Sequence, residues 1–299
     1  MKTIKALIER HPLLSYFALT FAITWGCFVL AVGPGGISAT KEQFTTMPLL
    51  AILAALAGPS VSGILLTGLL YGRAGFRDLF ARLTRWRVGP RWYAVALLTA
   101  PLVFTAVLIP LSLISPVFLP GIFASDGKVS FVLIGIVVAL IVGIFEELGW
   151  TGFAVPTLLR LRYSVLSTGL IVGVLWGAWH LLGHDIWSSV ATSGGFPLAP
   201  FVALTGLSLL VGGLLAFRVL MVWVYERTNG SLLLAILMHA SYSASTFILN
   251  PLVGPGAMSG AYLLAYGFVS SAALWLVVAV LAVATRGNFT REPLRRRVA

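Results

Sequence analysis

The chain has 299 residues, of which 10% are charged and 59% hydrophobic, with a mean hydropathy of +1.00. A water-soluble domain covers its surface with roughly a quarter charged residues, so this composition excludes an ordinary soluble protein. The net charge of +11 would suit nucleic acid, but the arginines gather at the ends of apolar runs. Membrane-flanking positions account for them, and no nucleic-acid partner is expected.

The apolar runs reach about 20 residues, enough to cross ~30 Å of hydrocarbon as helices. None shows the alternation over about ten residues that marks a membrane β-barrel. Eight spans follow in chain order, at about 13–32, 47–71, 92–118, 130–156, 164–183, 200–224, 231–250 and 260–284. The first follows Lys2, Lys5 and Arg10 as a secretory signal would. Its apolar stretch of about 20 residues exceeds the 7–15 of a cleaved signal, so a retained span is expected. Cys27 lies within it and, as the single cysteine, excludes an intrachain disulfide. Gly33-Pro34-Gly35-Gly36 then turns the chain toward span two.

Between spans two and three the pattern changes. Phe76, Leu79, Phe80 and Leu83 fall at helical spacing, with Arg77, Arg82 and Arg85 between them, which predicts a short amphipathic helix on the membrane surface. Lipid anchoring is its plain role, and docking of a substrate or partner the alternative. Asn229-Gly230-Ser231 turns the chain and caps span seven, and Arg295-Arg296-Arg297 reads as a charge anchor at the end. Alternating the loops leaves all 20 Lys and Arg on one side except Lys41 and Lys128. That asymmetry predicts cytoplasmic termini and a protein of the cell membrane. The expected fold is an all-α polytopic bundle of about eight transmembrane helices plus the surface helix, forming one domain over 1–299.

A charged side chain at mid-bilayer costs about 2.5–3.5 kcal/mol even on lenient scales, so ionisable groups inside spans usually have a function or a specific pairing. Here they are Glu146 and Glu147 in span four, His180 in span five and His239 in span seven. Arg218 also lies within a span, but near enough to its cytoplasmic end to be expected to snorkel to water. Adjacent helical residues point about 100° apart. One glutamate can therefore face a reaction centre while the other pairs with a neighbouring helix. Thr151, four residues after Glu147, shares its face and can hydrogen-bond to it. Gly149 and Gly152 allow close helix approach. Trp176 shares a face with His180, and Ser243 with His239. His184 stands at a metal-ligand spacing from His180, although it follows Gly183 at the outer end beside Asp185.

These residues resemble the CAAX prenyl endopeptidase and bacteriocin-processing (CPBP, or Abi) family of intramembrane proteases. The first family motif is two glutamates followed by three residues and arginine; Glu146-Glu147 match and Thr151 stands at the arginine position. The second is an aromatic residue four before histidine, met by Trp176 and His180. The third is histidine followed four residues on by asparagine; His239 matches and Ser243 replaces the asparagine. The family-like core covers about 130–250.

The resemblance implies that Glu146 activates water with help from His180, while His239 and the Ser243 position stabilise the oxyanion. Glu147, Thr151 and Trp176 would support them. It implies an intramembrane endopeptidase acting on a membrane-associated protein or peptide, in contact with membrane lipid. Glu147 lacks the motif arginine, so it is expected to be protonated or paired with another group. A cofactor-free, glutamate-based reaction is favoured; zinc held by Glu146, His180 and His239 is the alternative. Two other classes compete: an inactive relative serving as scaffold or immunity factor, and a proton-coupled transporter built on the same buried groups.

Overall fold

A computed structural model describes residues 2–32, 49–182, 193, 195–251 and 260–289. Helix α1 covers Lys2–Arg10 and α2 Pro12–Val32. Helix α3 runs Leu49–Leu83 and α4 Pro90–Ile114. After a 3-10 turn at Pro116–Phe118, a short α5 covers Gly121–Ala124. Helix α6, Lys128–Gly149, passes through a π-helical turn, Trp150–Ala154, into α7, Val155–Arg160. Then come α8, Val165–His180, α9, Leu198–Val211, and α10, Gly213–Arg227. Helices α11, Leu232–Leu249, and α12, Gly260–Ala284, follow.

No strand occurs among the described residues, and the all-α bundle is as expected. Six stretches there are long and apolar enough to cross a membrane: Pro12–Leu30, Pro90–Ile114, Lys128–Arg160, Leu198–Arg227, Leu232–Leu249 and Gly260–Ala284. The other two expected spans are also helical. Helix α8, with 16 residues, is shorter, and α3 bends part-way. Outward-facing Leu133, Ile134 and Val137 on α6 are exposed, as suits a surface bathed in lipid rather than water. The chain is an integral membrane protein. The Gly33–Gly36 turn, His184 and the Arg295–Arg297 anchor lie outside the described residues.

The bend in α3 sits at Gly72, whose φ of 56° and ψ of −142° suit a residue without Cβ. Beyond it the amphipathic segment ends at Leu83, short of the connection at 84–89. Phe76 and Phe80 on this segment are exposed, as expected, but Arg82 is not. Only 8% exposed, it turns inward and donates from Nη2 to the Gly152 carbonyl at 3.0 Å and from Nη1 to Tyr225 Oη at 3.1 Å. Periodicity placed it among solvent-facing arginines; unpaired carbonyls within the bundle draw it in.

Close packing brings the polar helices together. Helix α6 lies along α11 and α3, and α8 along α10. Gly169, Gly173 and Gly177 form a stripe on α8 against α9 and α10. A Cβ at Gly173 would stand 2.5 Å from Leu215 Cδ1 and 3.3 Å from Arg218 Cβ. The missing side chains let α10 carry Arg218 up to α8. Gly149 likewise admits α3, since a Cβ there would collide with the Pro59 carbonyl. Ser231 caps α11 as expected, accepting from Leu234 N–H at 3.3 Å, and its hydroxyl donates to the Arg85 carbonyl at 2.7 Å.

Candidate functional site

Glu146 and Glu147 occupy the last turn of α6, and both are buried, at 2% and 0% exposure. Their carboxylates diverge. Glu147 reaches α10, where Arg218 grips it through two bonds: Nη1 to Oε2 at 2.8 Å and Nη2 to Oε1 at 2.9 Å. Such paired, charge-assisted bonds fix orientation as well as adding energy. From α11, His239 Nδ1 approaches Glu147 Oε1 at 2.7 Å. A carboxylate accepts only, so Nδ1 is the donor. The Thr151 hydroxyl, one turn on, donates to Oε2.

Arg218 does not snorkel. It is wholly buried, because a carboxylate inside the bundle offers a better partner than water beyond the helix end. This also identifies the partner of Glu147, which is an arginine on another helix. The threonine at 151 joins the same carboxylate as a neutral donor.

Glu146 points the other way. Its Oε2 accepts from Trp176 Nε1 at 2.6 Å, and its Oε1 lies 3.9 Å from His239 Nε2. Trp176 is the hub of the cluster. Its face lies 4.1 Å beneath the Arg218 guanidinium carbon, and its ring centroid is 5.2 Å from that of His239 and 5.6 Å from that of His180. A phenylalanine would supply the face but not the N–H, so the tryptophan adds a donor for Glu146. His180, at the end of α8, donates from Nδ1 to the Trp176 carbonyl at 2.8 Å. That bond leaves Nε2 as the acceptor nitrogen of the neutral ring.

Ser243 is buried one turn beyond His239. Its hydroxyl makes no hydrogen bond to Glu146, Glu147 or His239 among the described residues. Among those residues, no group of three or more His, Cys, Asp or Glu side chains is placed to hold a metal ion.

The glutamates sit at the entrance to the π-helical turn. There the Val155 N–H reaches back five residues to the Trp150 carbonyl. A π-turn disturbs the regular ladder, and such turns are frequent at functional sites. Arg82 occupies the carbonyls that result, at 3.0 Å from Gly152 O and 3.4 Å from Thr151 O. Sequence reasoning missed Arg82 and misplaced Arg218. For Arg218 a signal existed: it is the basic residue well inside a span, in a chain whose Glu147 lacks its motif cation. For Arg82 none did, since its spacing matches that of its exposed neighbours.

The arrangement provides a carboxylate, two imidazoles and an indole N–H in an apolar bundle. The second carboxylate, neutralised by arginine, fixes one imidazole ring. Such a set can take a proton from water and pass it on. Residues 128–245 match the family described as type II CAAX prenyl endopeptidase, Rce1-like. The chain is also similar to a protein named CAAX prenyl protease 2 from Methanococcus maripaludis, with 27% identity over 173 residues. That similarity covers 55% of this chain and 60% of the length of the relative.

Proposed function

We propose, on the premise that the match of residues 128–245 to the Rce1-like endopeptidase family reflects membership of it, that the protein is an intramembrane endopeptidase using Glu146 as its base. The observation that carries this reading is the meeting of Glu146, Trp176 and His239, from α6, α8 and α11, in a buried cluster: Trp176 Nε1 donates to Glu146 at 2.6 Å and His239 Nε2 stands 3.9 Å from it. The substrate is a membrane-associated protein or peptide, and a prenylated C-terminal segment is one member of that class. The termini face the cytoplasm of the cell, on the arginine-rich side.

In the reaction, Glu146 and His180 take a proton from water as its oxygen bonds to the scissile carbonyl carbon. His239, its ring fixed by Glu147 through Nδ1, donates from a protonated Nε2 to the developing oxyanion, with the Ser243 hydroxyl beside it. Collapse of the tetrahedral intermediate breaks the C–N bond, and the proton held by Glu146 and His180 passes to the leaving amine. Base, acid and oxyanion donor are thus all drawn from the chain. No step is routed through a metal. Zinc content near zero with activity surviving a chelator is the expected result for the purified protein.

The decisive experiment replaces Glu146 with Gln in protein reconstituted into liposomes with membrane-bound peptide substrates. Cleavage is expected to fall by at least about a thousandfold, the scale on which single catalytic groups act, with an unchanged elution profile in detergent. Undiminished cleavage by the folded variant would refute the assignment.

A second reading, an inactive relative acting as scaffold or immunity factor, draws on one observation. The Ser243 hydroxyl is not bonded to the cluster, and a serine reaches less far than an asparagine would. If Ser243→Asn produces no gain in cleavage and the cellular phenotype survives Glu146→Gln, that second reading prevails.

A further inference from the structure

On the arginine-rich side a cavity of about 480 Å³ opens between the 84–92 connection and the turn joining α10 to α11. Four guanidinium groups line it, those of Arg85, Arg87, Arg91 and Arg227, together with Thr228 and Asn229. No Asp or Glu does so. Among the described residues none of the four arginines forms a salt bridge. Arg85 donates to the Asn229 carbonyl, and Arg227 Nη2 to the Asn288 carbonyl at 3.1 Å. The Arg227 Nε is sealed from solvent without a hydrogen-bond partner. Arg87 and Arg91 rest over the rings of Trp86 and Trp92, at 5.1 and 5.3 Å. Stacking of this kind engages the guanidinium face and leaves its N–H edges available.

Helix α4 adds to the same positive field. It begins at Pro90, its N-cap Gly89 supplies no side-chain bond, and residues 89–91 border the cavity. The N-terminus of a long helix carries about half a positive charge; here Pro90 has no N–H and the Trp92 N–H is taken by the Gly89 carbonyl at 2.9 Å, so the contribution is that of the helix dipole. Converging guanidinium forks and a helix N-terminus are the chemistry of phosphate recognition. The volume lies within the ~300–1,000 Å³ of ordinary ligand sites.

We infer that this cavity binds the phosphate of an anionic phospholipid headgroup. Location favours lipid over a soluble phosphate. Exposed Trp86 stands between the lining residues Arg85 and Arg87, and exposed Phe76 and Phe80 precede it on the amphipathic segment. Side chains of this type lie at the headgroup level of a bilayer, with the apolar body in the acyl boundary. The bound phosphate bridges the 84–92 connection to the turn that leads into α11. Ser231, at the start of that helix, is already tied to the Arg85 carbonyl. The site stands apart from the catalytic cluster and does not depend on the peptidase reading.

The test uses the full chain in detergent, titrated with phosphatidylglycerol or phosphatidylcholine and observed by native mass spectrometry. One phosphatidylglycerol is expected per chain, with little phosphatidylcholine at the same concentration. The pair Arg87→Gln and Arg91→Gln is expected to weaken retention about 30-fold, the factor for two basic residues close to an anionic headgroup. Both are exposed, so the fold should tolerate the change. The pair Arg73→Gln and Arg77→Gln, equally exposed on the same segment but away from the cavity, is expected to leave binding intact. Equal losses from the two pairs would reduce the effect to diffuse surface charge and overturn the inference. So would equal binding of phosphatidylcholine, or displacement of the lipid by an equal concentration of inorganic phosphate.

Discussion

Glu147 needs a positive charge, and with threonine at 151 that charge arrives on α10 instead of from the next turn of its own helix. Removing one member of a fully buried pair leaves the other uncompensated, at a cost of about 3–5 kcal/mol. Arg218→Met should therefore lower stability by that amount in detergent unfolding. Adding Thr151→Arg should recover part of it, by returning the cation to the position at which the family motif carries one. An additive loss in the double variant would show that the carboxylate cannot be served from 151. Trp176→Phe keeps the ring against Arg218 and both histidines but deletes the donor to Glu146. Cleavage should drop by about tenfold to a hundredfold, the scale of one charge-assisted bond, while the unfolding midpoint moves little. The four ionisable candidates, Glu146, Glu147, His180 and His239, stood out because an apolar chain hides few such groups. Their partners were less so. Whether an arginine snorkels or turns inward depends on what faces it from another helix, and linear order does not carry that information.

Helices and their ends followed the sequence closely. Apolar run length located the spans, Ser231 capped α11, and the change of pattern after Gly72 coincided with the bend in α3. The π-turn was not visible. Trp150-Thr151-Gly152-Phe153-Ala154 has no composition that separates it from an α-helix, and its geometry rests on Arg82 from α3 holding its carbonyls. Arg82→Gln shortens that reach and leaves buried acceptors unpaired. A loss of about 1–3 kcal/mol is expected on that account, together with faster hydrogen exchange at 150–155. Exchange unchanged from the native protein would mean that the turn is set by α6 itself. The glycine stripe on α8 was equally silent in sequence. Its meaning depends on which helix α8 meets, and Arg218 reaches the cluster only because that meeting is close.

For the whole molecule, the distribution of basic residues makes the clearest statement. Arg82, Arg85, Arg87, Arg91, Arg160 and Arg227 occupy the same end of the bundle as the α10–α11 turn, and Lys128 begins α6 at the other. By the positive-inside rule, the proposed orientation sets that end in the cytoplasm. Reporter fusions at residue 89 and at residue 127 should give opposite signals, cytoplasmic at the first and external at the second. Matching signals would require the orientation and the span count to be redrawn. Both glutamates lie on the chain ahead of the π-turn, and α7 lies behind it. Such a turn holds one residue more than the regular helix needs, so everything after it is rotated by about 100° relative to everything before. A relative lacking that extra residue would still form an unbroken rod here. Its α7 would then present a different side to its neighbours, and positions counted from Arg160 would fall out of step with those counted from Glu147.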